Sequence, residues 1–317
     1  MPDSGSEVLD SRVLRWLKEQ GYSLEMRVAQ TFKQAGFEVS QSRRYVDPES
    51  NEIREIDVVA SLSRQVAAID VAVTLLVECK YSLEKPWVIF TSTRTFDPLF
   101  YFSRILHEKY NVYDWTALES LQGRLLARIL LSLGHTNASK SAFFSMPQNA
   151  GYNMIESLRD PKGKDPAYAA IRQVSSCVQA YDLDTEKTFQ ETIQEYENPI
   201  EPGLGRGKLP LFCNVAFPII VVKGKLFECY LNPKNEIAIT EVDNSVVLVS
   251  NKDIGEESRT KPCTSVIRVI TESHAGTLAA AAYQAATMLL SQDSAIQDLW
   301  ESEFHKLEKA EIEETPF

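Results

Sequence analysis

Three charged residues stand in apolar, strand-like runs: Asp57 within I-R-E-I-D-V-V-A, and Glu78 and Lys80 closing V-T-L-L-V-E-C-K-Y-S. Charges in such runs are expensive to bury unless they are paired or bind a metal, so a functional site is the first hypothesis they raise. Alternation along a strand puts residues i and i+2 on one face. Glu78 and Lys80 then point the same way, with Cys79 on the opposite face beside Val77 and Leu75. In the first run Glu55, Asp57 and Val59 share one face, and Ile56, Val58 and Ala60 the other. If the runs pair as antiparallel neighbours, Asp57 and Glu78 approach each other at one end of a sheet. Two carboxylates with free oxygens suit a hard cation, Mg²⁺ or Mn²⁺. Lys80 beside them would orient an attacking water or stabilise charge developing on a phosphate.

The elements that must position these residues follow from the flanking sequence. An amphipathic helix is expected over 8–20, ended by Gly21, and a second over 23–35, ended by Gly36. Leu24, Val28, Phe32 and Ala35 form one face of the second helix, with Glu25 at its edge. Residues 37–46 read as a strand and 47–51 as a turn cluster. The long interval between Asp57 and Glu78 requires an extended hairpin through 61–70. Pro86 breaks the chain, and Trp87, followed by Val88, Ile89 and Phe90, reads as core.

The ordered set Asp57, then Glu78-Cys79-Lys80, resembles the PD-(D/E)XK nuclease superfamily, with its restriction-endonuclease-like fold. The pattern is most similar to the Holliday-junction-resolvase and Mrr-type members. Helix with Glu25, strand, Asp strand, Glu-X-Lys strand is the order in which that family's core begins. Ile56 stands where many members carry proline. The resemblance implies an Mg²⁺- or Mn²⁺-dependent endonuclease acting on DNA. Asp57, Glu78 and the backbone carbonyl of Cys79 would be metal ligands. Lys80 would be catalytic, and Glu25 an outer ligand or base. It also implies a polar contact from the helix after the insertion, which falls on Gln173, and it makes a homodimer an expectation.

Charge qualifies this reading. The net charge is −11, whereas a protein that holds nucleic acid by electrostatics alone is usually basic. Local cations can still serve, because a Debye length of about 8 Å screens the rest. Arg43, Arg44 and Lys85 are the candidate nucleic-acid contacts near the motif, and solvated surface is the plainer reading of Arg43 and Arg44. A catalytically silent nuclease-fold module for binding or assembly is the alternative function. A buried ion-pair network of Asp57, Glu78 and Lys80 is the purely structural one.

The remaining chain supplies the frame. Five scattered cysteines without a C-x-x-C pair suit buried thiols in a reducing, cytoplasmic compartment. No apolar run reaches membrane-spanning length, and the N-terminus lacks the basic and apolar regions of a signal peptide. Residues 91–165 read as a helical insertion, with a helix over 115–133, an aromatic cluster after Phe96 that could form a dimer surface, and a loop over 149–164. Asp165 and Pro166 start a helix carrying Ala170, Ile171, Val174 and Val178 on one side. Residues 214–222 and 226–231 read as a hairpin, followed by strands over 237–240, 246–250 and 265–271 and an Ala-rich helix over 277–291. The glycine-rich stretch Gly203-Leu204-Gly205-Arg206-Gly207 precedes a strand rather than a helix, so it is read as a loop and not a phosphate cradle. The expected fold is one α/β domain over 1–317, a restriction-endonuclease-like mixed sheet flanked by helices.

Overall fold

The computed structural model describes residues 4–19, 21–66, 69–95, 142–143, 149–158, 163, 165–197, 211–250, 264–291 and 297. The chain opens with helices α1 (Ser4–Glu19) and α2 (Tyr22–Ala35). Four strands follow: β1 (Glu38–Val46), β2 (Ile53–Val66), β3 (Ile69–Tyr81) and β4 (Trp87–Thr95). After β5 (Asn149–Glu156) comes the long helix α3 (Pro166–Glu197). Strands β6 (Leu211–Lys223), β7 (Leu226–Leu231), β8 (Ile237–Val242), β9 (Asn244–Ser250) and β10 (Thr264–Thr271) precede α4 (Ala275–Leu290). Among the described residues no helix is long and apolar enough to cross a membrane.

The strands form one mixed sheet in the order β1-β2-β3-β6-β10-β9-β5-β4-β7-β8. β1, β2 and β3 run antiparallel in succession, and β3 then lies parallel to β6 along its whole length. Helices cover both faces. On one, Leu24, Val28 and Phe32 of α2 and Leu278, Ala282 and Ala285 of α4 pack with Val58, Ala60, Leu75, Val77 and Cys79. On the other, Ala170, Ile171, Val174 and Cys177 of α3 pack with Ile56, Val59, Leu76 and Trp87. The alanines of α4 let it lie close to the sheet. Gly36 ends α2 with φ +112, where a side chain would also strike the Tyr283 ring of α4.

Several expectations hold. Asp165 Oδ1 accepts the Ala167 N–H at 3.0 Å and so caps α3, and Trp87 is fully buried. Three are corrected. Residues 149–156 are strand β5 rather than loop: it pairs with β4, burying Ala150, Met154 and Glu156. Gly151 is needed there because a Cβ would lie 2.3 Å from Ile89 and 3.0 Å from the Val246 carbonyl. The described part of the 91–165 insertion is thus largely strand, while the expected helix over 115–133 and the aromatic cluster lie outside the described residues, as does 203–207. The 214–222 and 226–231 runs are not a hairpin: β6 lies between β3 and β10, and β7 between β4 and β8. Third, Ile56 does not share a face with Val58 and Ala60; it packs in the α3 layer, they in the α2–α4 layer.

Candidate active site

The loss of alternation at Ile56 centres on Asp57. In β1 the same thing happens: Val39 packs in the α2–α4 layer and Tyr45, six residues on, in the α3 layer. The pairs Gln41 with Val58 and Arg43 with Ile56 bracket the point of change, so Ser42 lies opposite Asp57. Ser42 has φ 53, in the left-handed region that a non-glycine residue seldom occupies. Both strands of the hairpin therefore cross from one layer to the other at the Ser42–Asp57 level.

The crossing ends the β2–β3 ladder. Val58 with Val77 is the terminal pair, and beyond it the Asp57 side chain replaces the ladder: Cys79 N–H donates to Asp57 Oδ2 at 2.6 Å. This contact fixes the carboxylate beside the Glu78-Cys79-Lys80 run. It also brings Cys79 to Asp57 through its N–H, alongside the carbonyl that the resemblance singles out.

Glu78 and Lys80 share a face, as alternation requires. Lys80 Nζ donates to Glu78 Oε1 in a close ion pair. Glu78 is fully buried, and its second oxygen, Oε2, has no hydrogen-bond partner. Burial pushes the Glu78 carboxyl up to about 8, and the negative charge of Asp57 adds to the shift; Lys80 opposes it. Burial also raises Asp57, against the Cys79 N–H and Lys80. For Lys80, burial works downward but the charge of Glu78 outweighs it, so the ammonium is retained. In this coupled pair the upward shift of Glu78 is the dominant effect, because Lys80 keeps contact with solvent and Glu78 does not.

Glu25 reaches the group from α2. Gly21, at φ 86, turns the chain into the helix, and its carbonyl accepts the N–H groups of Leu24 at 2.8 Å and Glu25 at 3.3 Å. Burial raises the Glu25 carboxyl, followed by repulsion from Asp57 and Glu55. Glu55 thus belongs to the acidic group although it is not among the sequence-chosen site residues; its signal was its position two residues before Asp57. At the edge of α2, Glu272 lies 2.5 Å from Arg27 Nε and 3.8 Å from Lys223 Nζ of β6. Those residues had no signal in the sequence.

The expected nucleic-acid contacts are dispersed. Gln173 is a structural clamp: its Nε2 donates to the Glu55 carbonyl at 2.7 Å, and its own carbonyl accepts Tyr45 Oη–H at 3.0 Å. Arg172 reinforces the clamp through Glu49 at 2.7 Å. Lys85 is exposed in the turn between β3 and β4, where its carbonyl lies 2.7 Å from Ser82 Oγ. Arg43 and Arg44 line a cleft of about 500 Å³ between α3 and the β1–β2 hairpin.

Among the described residues, no three His, Cys, Asp or Glu side chains are arranged to hold a metal ion by themselves. Magnesium does not need such a cage: one or two carboxylates suffice, with waters and substrate phosphate completing the shell. The orphaned Oε2 of Glu78 and the second oxygen of Asp57 fit that mode. No family model, curated protein or solved structure matches the chain.

Proposed function

We propose that the protein is a metal-dependent nuclease with a restriction-endonuclease-like core, hydrolysing phosphodiester bonds in DNA. The observation that carries the reading is the buried, unpartnered Glu78 Oε2 beside Asp57 and Lys80 at the end of the β2–β3 ladder. Support also comes from the order of elements: α2 with Glu25, β1, the Asp57 strand, the Glu78–Lys80 strand, then α3 and β6 laid parallel beside β3. Asp57, Glu78 and the Cys79 carbonyl would hold Mg²⁺ or Mn²⁺, with Glu25 behind them. The ion would polarise the scissile phosphate and acidify a water.

The chain's own groups do the rest. The Cys79 N–H locks one oxygen of Asp57 and so aims the other. Lys80 is the ammonium paired with Glu78. With Glu78 turned to a cation, the Lys80 ammonium would be free to hold the attacking water or the developing phosphate charge. Glu25, raised by burial, would accept a proton from that water. A DNA partner, a cytoplasmic setting and a homodimer belong to the same proposal.

A cleavage assay on mixed DNA forms with Mg²⁺ or Mn²⁺ tests it. Lys80→Ala and Asp57→Ala should each lower the rate by at least about 10²-fold with an unchanged circular-dichroism spectrum. Full activity in the Asp57→Ala protein sinks the proposal. One observation favours a silent binding or assembly module instead: the Lys80 ammonium pairs with Glu78 Oε1, the purely structural use of both charges. Calorimetric titration with Mn²⁺ separates the two, since the module takes up no metal at Asp57 and Glu78.

A further inference from the structure

The cleft under the β1–β2 hairpin is distinct from the carboxylate group yet continuous with it. Its floor includes Ile56, which immediately precedes Asp57, and Leu76, which shares a face with Glu78 two residues further along β3. Two strand residues span about 7 Å, so floor and site are neighbours. Cys177 of α3 completes the floor, and its thiol is pushed up to about 12 by burial and then by the charge of Glu78.

The lining has a consistent chemistry. Three cations, Arg43, Arg44 and Lys187, stand against one acid, Asp184, in a chain of net charge −11. Arg43 and Arg44 are exposed and form no ion pair with the described residues, and Lys187 has only a loose contact with Glu191 at 3.7 Å. The aromatic residues are tied by their hydroxyls, Tyr45 to the Gln173 carbonyl and Tyr181 to Thr74 Oγ1 at 3.0 Å, so both rings are held in place at the cleft. An apolar floor, fixed aromatic rings and a cationic rim together suit a flat heteroaromatic ring attached to a phosphate. The volume of about 500 Å³ lies in the range of small-molecule pockets and is ample for one base with its sugar.

Resting on the nuclease reading, we propose that this cleft receives one unpaired nucleotide of the strand whose phosphodiester lies at Asp57, Glu78 and Lys80. The base enters between α3 and the hairpin, and its phosphate meets Arg43 and Arg44. An unpaired nucleotide is cheaper to place there than one drawn from an intact duplex, because unstacking and unpairing have already been met. The protein would then select single strands, flaps, mismatches or junctions over continuous duplex.

Equilibrium binding without divalent metal tests the cleft independently of catalysis. The probes are a fluorescent oligothymidylate and a blunt duplex of equal length, in EDTA. The proteins are the wild type, Ala180→Trp, which fills the cleft, and the double variant Arg43→Glu/Arg44→Glu, at exposed positions that leave the core intact. The wild type should prefer the single strand, and each variant should weaken single-strand binding by at least about tenfold. The weaker duplex binding should change much less. Wild-type preference for the blunt duplex, or variants that bind the single strand as the wild type does, overturns the proposal. A parallel cleavage assay separates the two readings. Asp57-dependent cleavage with cleft variants that bind and cut normally removes the cleft and keeps the nuclease. Cleft-dependent binding without Asp57-dependent cleavage removes the nuclease and keeps a nucleotide-binding cleft.

Discussion

Glu78 is a buried acid whose Oε1 pairs with Lys80 while Oε2 has no partner, so its burial is only partly offset. Glu78→Gln keeps the shape and keeps an acceptor for Lys80, but removes the charge. Without divalent metal this variant should be more stable than the wild type by about 1–2 kcal/mol, read by urea denaturation, while cleavage is lost. A wild-type or lower stability would show that the Lys80 ion pair already offsets the burial. At this scale the sequence was informative about the charged trio, because acids and a lysine contradict an apolar strand pattern wherever they fall. It was silent on what fixes them. The Cys79 N–H that holds Asp57 is a backbone group, which every residue but proline offers, and the Glu272 contacts join positions far apart in the chain.

The β1–β2 hairpin sets the geometry of Asp57 by changing layers at Ser42. A β-branched residue in left-handed backbone is strained by about 1–2 kcal/mol, and glycine is not. Ser42→Val should therefore lower stability by about that amount and slow cleavage by displacing Asp57, whereas Ser42→Gly should retain activity. Denaturation curves and single-turnover rates on the three proteins check this, and normal activity in Ser42→Val would show that the crossing does not position the carboxylate. Strict alternation placed Ile56 with Val58, since period-2 reading has no signal for a crossing that serine adopts without glycine's signature. The strands missed or mispaired have similar causes. Asn149, Gly151 and Asn153 make β5 look like loop, although Ala150, Gly151, Met154 and Glu156 are buried in the sheet. β6 and β7 adjoin through the short turn at Gly224, which suggests a hairpin, but the sheet places them apart in parallel pairings that local sequence does not encode. Helices α2, α3 and α4 were the clearest elements, because their apolar stripes and their Gly36 and Asp165 ends agree with their packing.

A net charge of −11 describes the molecule from a distance and misdescribes the cleft. On the proposed reading, nucleic acid bound there would meet three cations, with Lys80 a fourth at the site. The logarithm of single-strand affinity should then fall with the logarithm of salt concentration with a slope of about −2 to −3, from about 0.7 per phosphate contact. Fluorescence anisotropy across a salt series measures it. A slope near zero would mean that binding is not electrostatic, and a much steeper one that a larger basic surface takes part. Composition could not anticipate this, because averaging over the chain erases a local excess of cations. The crossing at Ser42 and Asp57 has a consequence at this scale too. One carboxylate is anchored to two hydrophobic layers at once, and neither layer alone determines where it points. Disturbing either the α2–α4 side or the α3 side should therefore shift the same carboxylate, which sits where the hairpin passes from one layer to the other.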